Sequence, residues 1–184
     1  MTEDVSALIG RIAAGDGRAM PALSALVKEP LRRFGTGVLG NGADGEDLAQ
    51  ETLLKVWQSA GRFDPARGDG HVWLYAIARN VARDMLRRRR IRWLVGLGAL
   101  DGDPEDATPG PETAVADREA LALVRRRMQD LPDAQRMALT LSALGDLDNA
   151  QIAAILGRST GAVEQLLFRA RRTLRKELED TLDG

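Results

Sequence analysis

Between Gly96 and Ala116 the helical rhythm of the chain stops, and this break limits what the rest can fold into. The stretch contains GDPEDATPGPETA, with three prolines and no periodic apolar residue after Leu100. Proline removes an amide donor and clashes with the preceding turn, so a helix cannot run through it unperturbed. The composition is that of an interdomain linker. The 184 residues are therefore expected to divide into a helical domain at 1–95, a flexible acidic linker at 96–116 and a second helical domain at 117–184.

No period-two strand pattern interrupts either half, so the fold class is all-α. Spacing and punctuation predict helices near Asp4 to Ala14, Arg18 to Leu39, Asp44 or Gly45 to Ala60, and His71 to Leu94, with GRFDPARGDG as a loop before the last. Pro30 is expected to break or kink the second helix. Beyond the linker, helices are predicted near Ala116 to Gln129, Pro132 to Leu144, Asp148 to Leu156 and Ser159 to Asp180. Pro132 suits a first helical position, where a missing N–H costs nothing.

Charge is distributed unevenly although the net value is only −1. Arg79 to Arg92 carries +6, Asp101 to Glu119 carries −6, and Arg169 to Lys176 holds five basic residues and no acid. Two basic blocks around an acidic one suggest two contact points for a polyanion. The catalytic alternatives have little raw material. There is no cysteine, and His71 is the only histidine. That excludes disulfides and thiolate sites and leaves almost no raw material for a His-rich zinc site or a Ser-His-Asp triad. The carboxylate pairs Glu46/Asp47 and Glu105/Asp106 fall at a helix start and in the linker. No catalytic residue, cofactor site or metal site is assigned. No apolar run approaches the ~18 residues of a membrane span, and the acidic N-terminus MTEDVSALIG is unlike a signal peptide. A cytoplasmic protein without membrane insertion is expected.

The clearest local motif lies in the second half. Asp148 to Gln151 is a capping-box pattern, followed by the apolar residues Ile152, Ala153, Ile155 and Leu156. Gly157 permits the left-handed turn that ends a helix, and Ser159 caps the next one. In that next helix Val163, Leu166, Leu167, Ala170 and Leu174 share one side, and Gly161, Glu164, Gln165, Phe168 and Arg172 the other. This is the outline of a helix-turn-helix, whose second helix reads the major groove. Glu164 suits a cytosine amino group and Gln165 an adenine edge. Phe168 suits a thymine methyl or a sugar edge, and Arg169, Arg171, Arg172 and Arg175 suit phosphates. A plain helical hairpin with a solvated charged face has the same pattern.

Two further faces stand out in the first half. Asp47, Gln50, Glu51 and Leu54 lie at i, i+3, i+4 and i+7 of the third helix, while Leu48, Leu53, Val56 and Trp57 are expected in the core. Acids at a helix start suit the dipole, which by spacing alone is the favoured account; the alternative is a docking stripe for a basic partner helix. In the fourth helix Leu74, Ile77, Ala78, Val81 and Met85 form an apolar face opposite Arg79, Asn80, Arg83 and Arg87, continuing into Arg88, Arg89 and Arg90. The stripe is either a solvated face or an electrostatic footprint for phosphates. Trp73 and Tyr75 lie near the Phe63 loop, where aromatics beside a basic stripe can stack on unpaired bases; Trp73 as an ordinary core residue is the alternative.

Three stretches together resemble the extracytoplasmic-function (ECF) group of bacterial sigma-70 factors. They are Gly45 to Trp57 (GEDLAQETLLKVW), Trp73 to Asp84 (WLYAIARNVARD), and Leu131-Pro132 followed by IAAILG at 152–157 and VEQLLFRARR at 163–172. The resemblance implies a region 2-like first domain and a region 4-like second one. It implies that Asp47, Gln50, Glu51 and Leu54 dock on the β′ clamp helices of core RNA polymerase, with the β flap as a second polymerase contact. It implies a base flipped from the −10 element into the loop at 61–70, with Phe63, Trp73, Arg79, Asn80, Arg83 and Arg87 at the −10 DNA. Ser159, Thr160, Gly161, Glu164, Gln165, Phe168, Arg169 and Arg172 would meet the −35 element, and the linker would thread toward the active-site and RNA-exit region.

The chain departs from the family in two places. Many members carry Lys, Ser and His on the reading helix where Glu164, Gln165 and Phe168 stand, so the promoter sequence does not carry over. Residues 66–70 offer little side chain for a base pocket. Partners implied are core polymerase, promoter DNA and an anti-sigma protein; with no further folded domain expected outside these residues, regulation is expected to come from a separate protein. A stand-alone helix-turn-helix regulator is the rival reading.

Overall fold

The computed structural model describes residues 4–66, 68–95, 115–145 and 147–182, and these are helical with short connections. In the first half α1 (Val5–Ala13), α2 (Ala19–Leu39), α3 (Gly42–Ser59), a 3-10 turn (Ala60–Arg62) and α4 (Gly70–Leu94) pack around Leu8, Leu23, Leu31, Phe34, Leu48 and Leu74. In the second half α5 (Val115–Asp130), α6 (Asp133–Ala143), α7 (Asn149–Leu156) and α8 (Thr160–Leu182) close over Leu141, Ile152, Ile155 and Val163. Most of the expected acidic linker lies outside the described residues. The two halves are packed directly on each other, α6 against α2 and α7 against α4.

Several expectations are corrected. α2 runs through Pro30 without a break. Leu26, whose carbonyl loses its partner, is exposed to water. The buried stripe Leu23, Val27, Leu31 and Phe34 holds both sides of the proline to the core. α3 starts at Gly42 because Asn41 caps it: Asn41 Oδ1 accepts from the Asp44 amide at 2.8 Å. Pro132 is extended and caps α6 from outside, its carbonyl accepting from the Arg136 amide at 3.0 Å. Tyr75 is no base-stacking platform: it is buried edge-on against Phe34, ring centroids 5.8 Å apart.

One close approach fixes where the α3 stripe sits. A Cβ on Gly35 would lie 2.8 Å from the Gly45 Cα, so α2 and α3 meet backbone to backbone. Only residues without side chains allow that contact.

Candidate nucleic-acid and partner interfaces

The α3 stripe is open. Asp47 and Gln50 are exposed, Glu51 is half-buried and Leu54 is 54% exposed. They border a groove whose other wall is Met85, Arg88, Arg89 and Arg92 of α4. Gln50 Nε2 donates to Glu46 at 3.2 Å, and Lys28 pairs with Glu46 at 2.7 Å. The Lys28 bond first, then that of Gln50, holds the Glu46 carboxyl below its usual range. The stripe is one residue longer than the spacing analysis has it. Trp57, expected in the core, is 48% exposed and lies over Gly17, where an added Cβ would be 3.1 Å from the indole. It stands seven residues after Gln50 and three after Leu54, so helix geometry puts it on their side.

The basic stripe of α4 is divided among several tasks. Arg87 pairs with Asp84 at 3.1 Å, and Arg88 lies 3.9 Å from Glu51. Arg89 donates to the Leu39 carbonyl at the end of α2 at 3.1 Å, and Arg90 lies 3.5 Å from Asp133 of α6. Arg79 is half-buried. Its Nη1 donates to the Ile155 carbonyl in the last turn of α7 at 2.5 Å, and its Nη2 to the Asn80 side chain at 2.8 Å. Burial first, then the Arg83 charge, pushes the Arg79 pKa down. Asn80, Arg83 and Arg87 keep exposed positions. Thus Arg79, expected on DNA, is engaged within the chain.

Phe63 is also corrected. It is only 9% exposed and packs on Trp73, ring centroids 5.4 Å apart. Its ring is tilted by 52° against that of the half-buried Trp73, so little of it is left for a base to stack on. The loop is anchored where its helix begins: the Gly70 amide donates to Ser6 Oγ at 2.9 Å, and Asp69 accepts from the His71 amide at 2.7 Å. A Cβ on Gly70 would fall 2.8 Å from the Ser6 backbone. Sequence spacing carries no signal for that contact with α1.

The helix-turn-helix has the predicted geometry. The Gln151 amide donates to Asp148 at 2.8 Å, and the Asp148 amide to Gln151 Oε1 at 2.9 Å. Gly157 is left-handed with φ 64°, and the Arg158 amide reaches back to the Ala153 carbonyl at 2.9 Å. Ser159 Oγ accepts from the Ala162 amide at 3.3 Å. Val163, Leu167 and Ala170 are buried. Thr160, Gly161, Glu164, Gln165, Arg169 and Arg172 all face solvent, and Phe168 is 67% exposed. α8 therefore carries a polar reading face with one apolar ring and a basic continuation at Arg171, Arg172, Arg175 and Lys176. Among the described residues no group of three acidic, histidine or cysteine side chains is placed to hold a metal, and no helix is long and apolar enough to cross a membrane.

Among the described residues an open acidic and apolar stripe on α3, a basic α4 and a helix-turn-helix with an exposed polar face stand together in one helical arrangement. Residues 24–92 match the sigma-70 region 2 family and residues 121–174 the sigma-70 region 4 family. The ECF RNA polymerase sigma factor SigL of Mycobacterium tuberculosis is 32% identical over 174 residues, covering 95% of this chain and 97% of SigL. CnrH of Cupriavidus metallidurans is 34% identical over 177 residues, covering 91% of this chain and 90% of CnrH. The solved structure of CnrH in complex with the cytosolic domain of CnrY has a TM-score of 0.73 to this chain at 27% identity, covering 97% of it and 99% of CnrH. That of the sigma factor RpoE with the anti-sigma factor NepR from Bartonella quintana gives 0.71 at 25% identity, covering 85% and 94%. The chain belongs to the ECF sigma factors of the sigma-70 family.

Proposed function

We propose that this chain is the promoter-specificity subunit of a bacterial RNA polymerase, joining core enzyme through the α3 stripe and promoter DNA through α4 and α8. Asp47, Gln50, Glu51, Leu54 and Trp57 dock on the β′ clamp helices, and the second module meets the β flap. Asn80, Arg83 and Arg87, joined by Arg79 once it is released, hold the −10 DNA beside Trp73. Glu164, Gln165 and Phe168 read the −35 groove, with Arg169 and Arg172 on phosphates.

The chain performs no bond chemistry. Its contacts offset the cost of opening duplex, about 1.4 kcal/mol per base-pair step of stacking. Its place of work is the cytoplasm. An anti-sigma protein holds it inactive, a reading supported by the likeness to RpoE bound to NepR.

The observation that carries the proposal is the joint exposure of the α3 stripe and the α8 reading face on one chain. The test is transcription from the promoter of its own operon with sigma-free core. Start-site-specific RNA only when both proteins are present supports it. Specific DNA binding that never depends on core, with no such RNA, overturns it in favour of a stand-alone regulator.

A further inference from the structure

We infer that α1 clamps the loop at 61–70 and that Ser6 is the positioning residue of the clamp: by accepting from the Gly70 amide, Ser6 holds the loop backbone in the place where it receives a base of the opened −10 DNA. The inference rests on the reading of that loop as the receiver of a flipped base. α1 (Val5–Ala13) lies wholly outside residues 24–92, which match the sigma-70 region 2 family.

One helix meets both ends of the loop. At its start the 3-10 turn Ala60–Arg62 packs on α1. At its end the Gly70 amide donates to Ser6 Oγ at 2.9 Å, a bond across 64 positions of sequence. A Cβ on Gly70 would lie 2.8 Å from the Ser6 Cα, amide nitrogen and Oγ, so only glycine admits this approach. Phe63 and Gly70 are buried, and the described residues between them, 64–66, 68 and 69, are exposed. The other bonds printed on the loop are local. Asp64 accepts from the Ala66 amide at 3.0 Å and Asp69 from the His71 amide at 2.7 Å, each two residues away. They shape the loop without tying it to another element.

The clamp is itself held independently of Ser6. Val5, Leu8, Ile9 and Ile12 bury one side of α1. The Ser6 amide donates to the Asp4 cap at 3.4 Å, which sets the hydroxyl at the helix start. The composition of the loop explains why its backbone must be placed so firmly. Ala66, Gly68 and Gly70 offer almost no side chain, so the loop has chiefly backbone N–H and C=O groups to present to a base. Such groups act only where the backbone is fixed: a loop in place for part of the time binds more weakly by that fraction.

Ser6→Ala in the full-length protein tests this. Holoenzyme formed with sigma-free core is bound to fork DNA from the promoter of its own operon, with an abasic site placed at each single-stranded −10 position in turn. Wild type is expected to discriminate against one of these forks, and Ser6→Ala to lose about fivefold of that discrimination, the net weight of one hydrogen bond. Its competition for core is expected to equal that of wild type. Gly70→Ala, which drives a methyl into the Ser6 backbone, is expected to lose at least as much. Asp16→Asn is the control for stability. It loosens the far end of α1, where Asp16 bonds Arg11, and is expected to lower the unfolding midpoint and keep wild-type discrimination. A second readout needs no DNA: the Gly70 amide should exchange its hydrogen about fivefold faster in Ser6→Ala and at the wild-type rate in Asp16→Asn. Unchanged Gly70 exchange or unchanged discrimination in Ser6→Ala, an equal loss in Asp16→Asn, or a Ser6→Ala deficit in core binding overturns the role of Ser6. If wild-type holoenzyme makes start-site-specific RNA yet treats every abasic fork alike, base capture by the loop fails, and the inference falls with it.

Discussion

Replacing Leu54 by alanine separates the apolar from the charged part of core docking. Leu54 is 54% exposed on α3, while the helix is held to the core by Leu48, Leu53 and Val56. Burying a whole leucine side chain contributes about 1.5–3 kcal/mol. Covering the exposed half on docking therefore contributes about 1 kcal/mol, which is about fivefold in affinity. Asp47 is exposed, and an exposed ion pair contributes about 0.2–1 kcal/mol, screened over ~10 Å at 0.1 M salt. The two substitutions should part with ionic strength. Leu54→Ala loses about fivefold at low and high salt alike; Asp47→Ala loses affinity at low salt and much less at high salt. The assay is equilibrium competition between unlabelled variant and fluorescently labelled wild type for sigma-free core, with thermal unfolding as the control for the fold. A Leu54→Ala protein that competes like wild type, or whose deficit disappears in high salt, would refute apolar anchoring of the stripe.

Glu164→Ala should relax base preference at one −35 position, worth about 1–3 kcal/mol of discrimination, whereas Arg172→Ala should weaken all sequences alike and lower the salt slope by about 1; competitive binding across a promoter library separates the two. Asp148→Ala removes the acceptor of the capping box and should cost the second module about 1 kcal/mol, read as a lower urea midpoint. Asp16 is bonded to Arg11 at 2.6 Å and Arg18 at 3.1 Å, joining the end of α1 to the start of α2. The Arg11 bond first, then that of Arg18, holds its pKa below the usual carboxylate range. A depressed folded-state pKa means that the stabilisation is complete above the unfolded value and is lost as pH falls through the folded one. Asp16→Asn should therefore be less stable than wild type at neutral pH, with the difference shrinking in acid; a constant difference across acidic pH would contradict the linkage.

What could be read in advance was what is local. The capping box spans four residues and the turn at Gly157 follows within nine, so short-range chemistry alone specifies the first helix of the helix-turn-helix and its stop. The α3 stripe was legible because four positions obey one helical period. Trp57 was missed because hydrophobicity sends tryptophan inward, although its spacing from Gln50 and Leu54 already put it on the outer face. Phe63 and Tyr75 were misplaced because their partners, Trp73 and Phe34, are ten and forty-one residues away. Gly35, Gly37 and Gly45 gave no signal at all. Each is defined by what approaches it in space, and a glycine inside a helix carries no mark of its neighbour.

The arginine run shows why net charge overstates a DNA footprint. Successive helix residues step round the axis by about 100°, so four consecutive arginines must point to all sides. Arg88 and Arg89 accordingly turn to the α3 side, towards Glu51 and the Leu39 carbonyl, while Arg87 and Arg90 share another side with Asp84 and Asp133. Positions 80, 83 and 87 recur at helical spacing and keep one exposed face. Phosphate neutralisation should follow position and not count. For binding to single-stranded −10 DNA, each phosphate contact contributes a salt slope of about 0.7. Arg83→Ala and Arg87→Ala should each lower the slope by about that amount. Arg89→Ala should leave it unchanged and instead lower the unfolding midpoint, because it releases the end of α2. Equal slopes lost at all three positions would mean that the whole run faces DNA, which the pitch of an unbroken α4 does not permit.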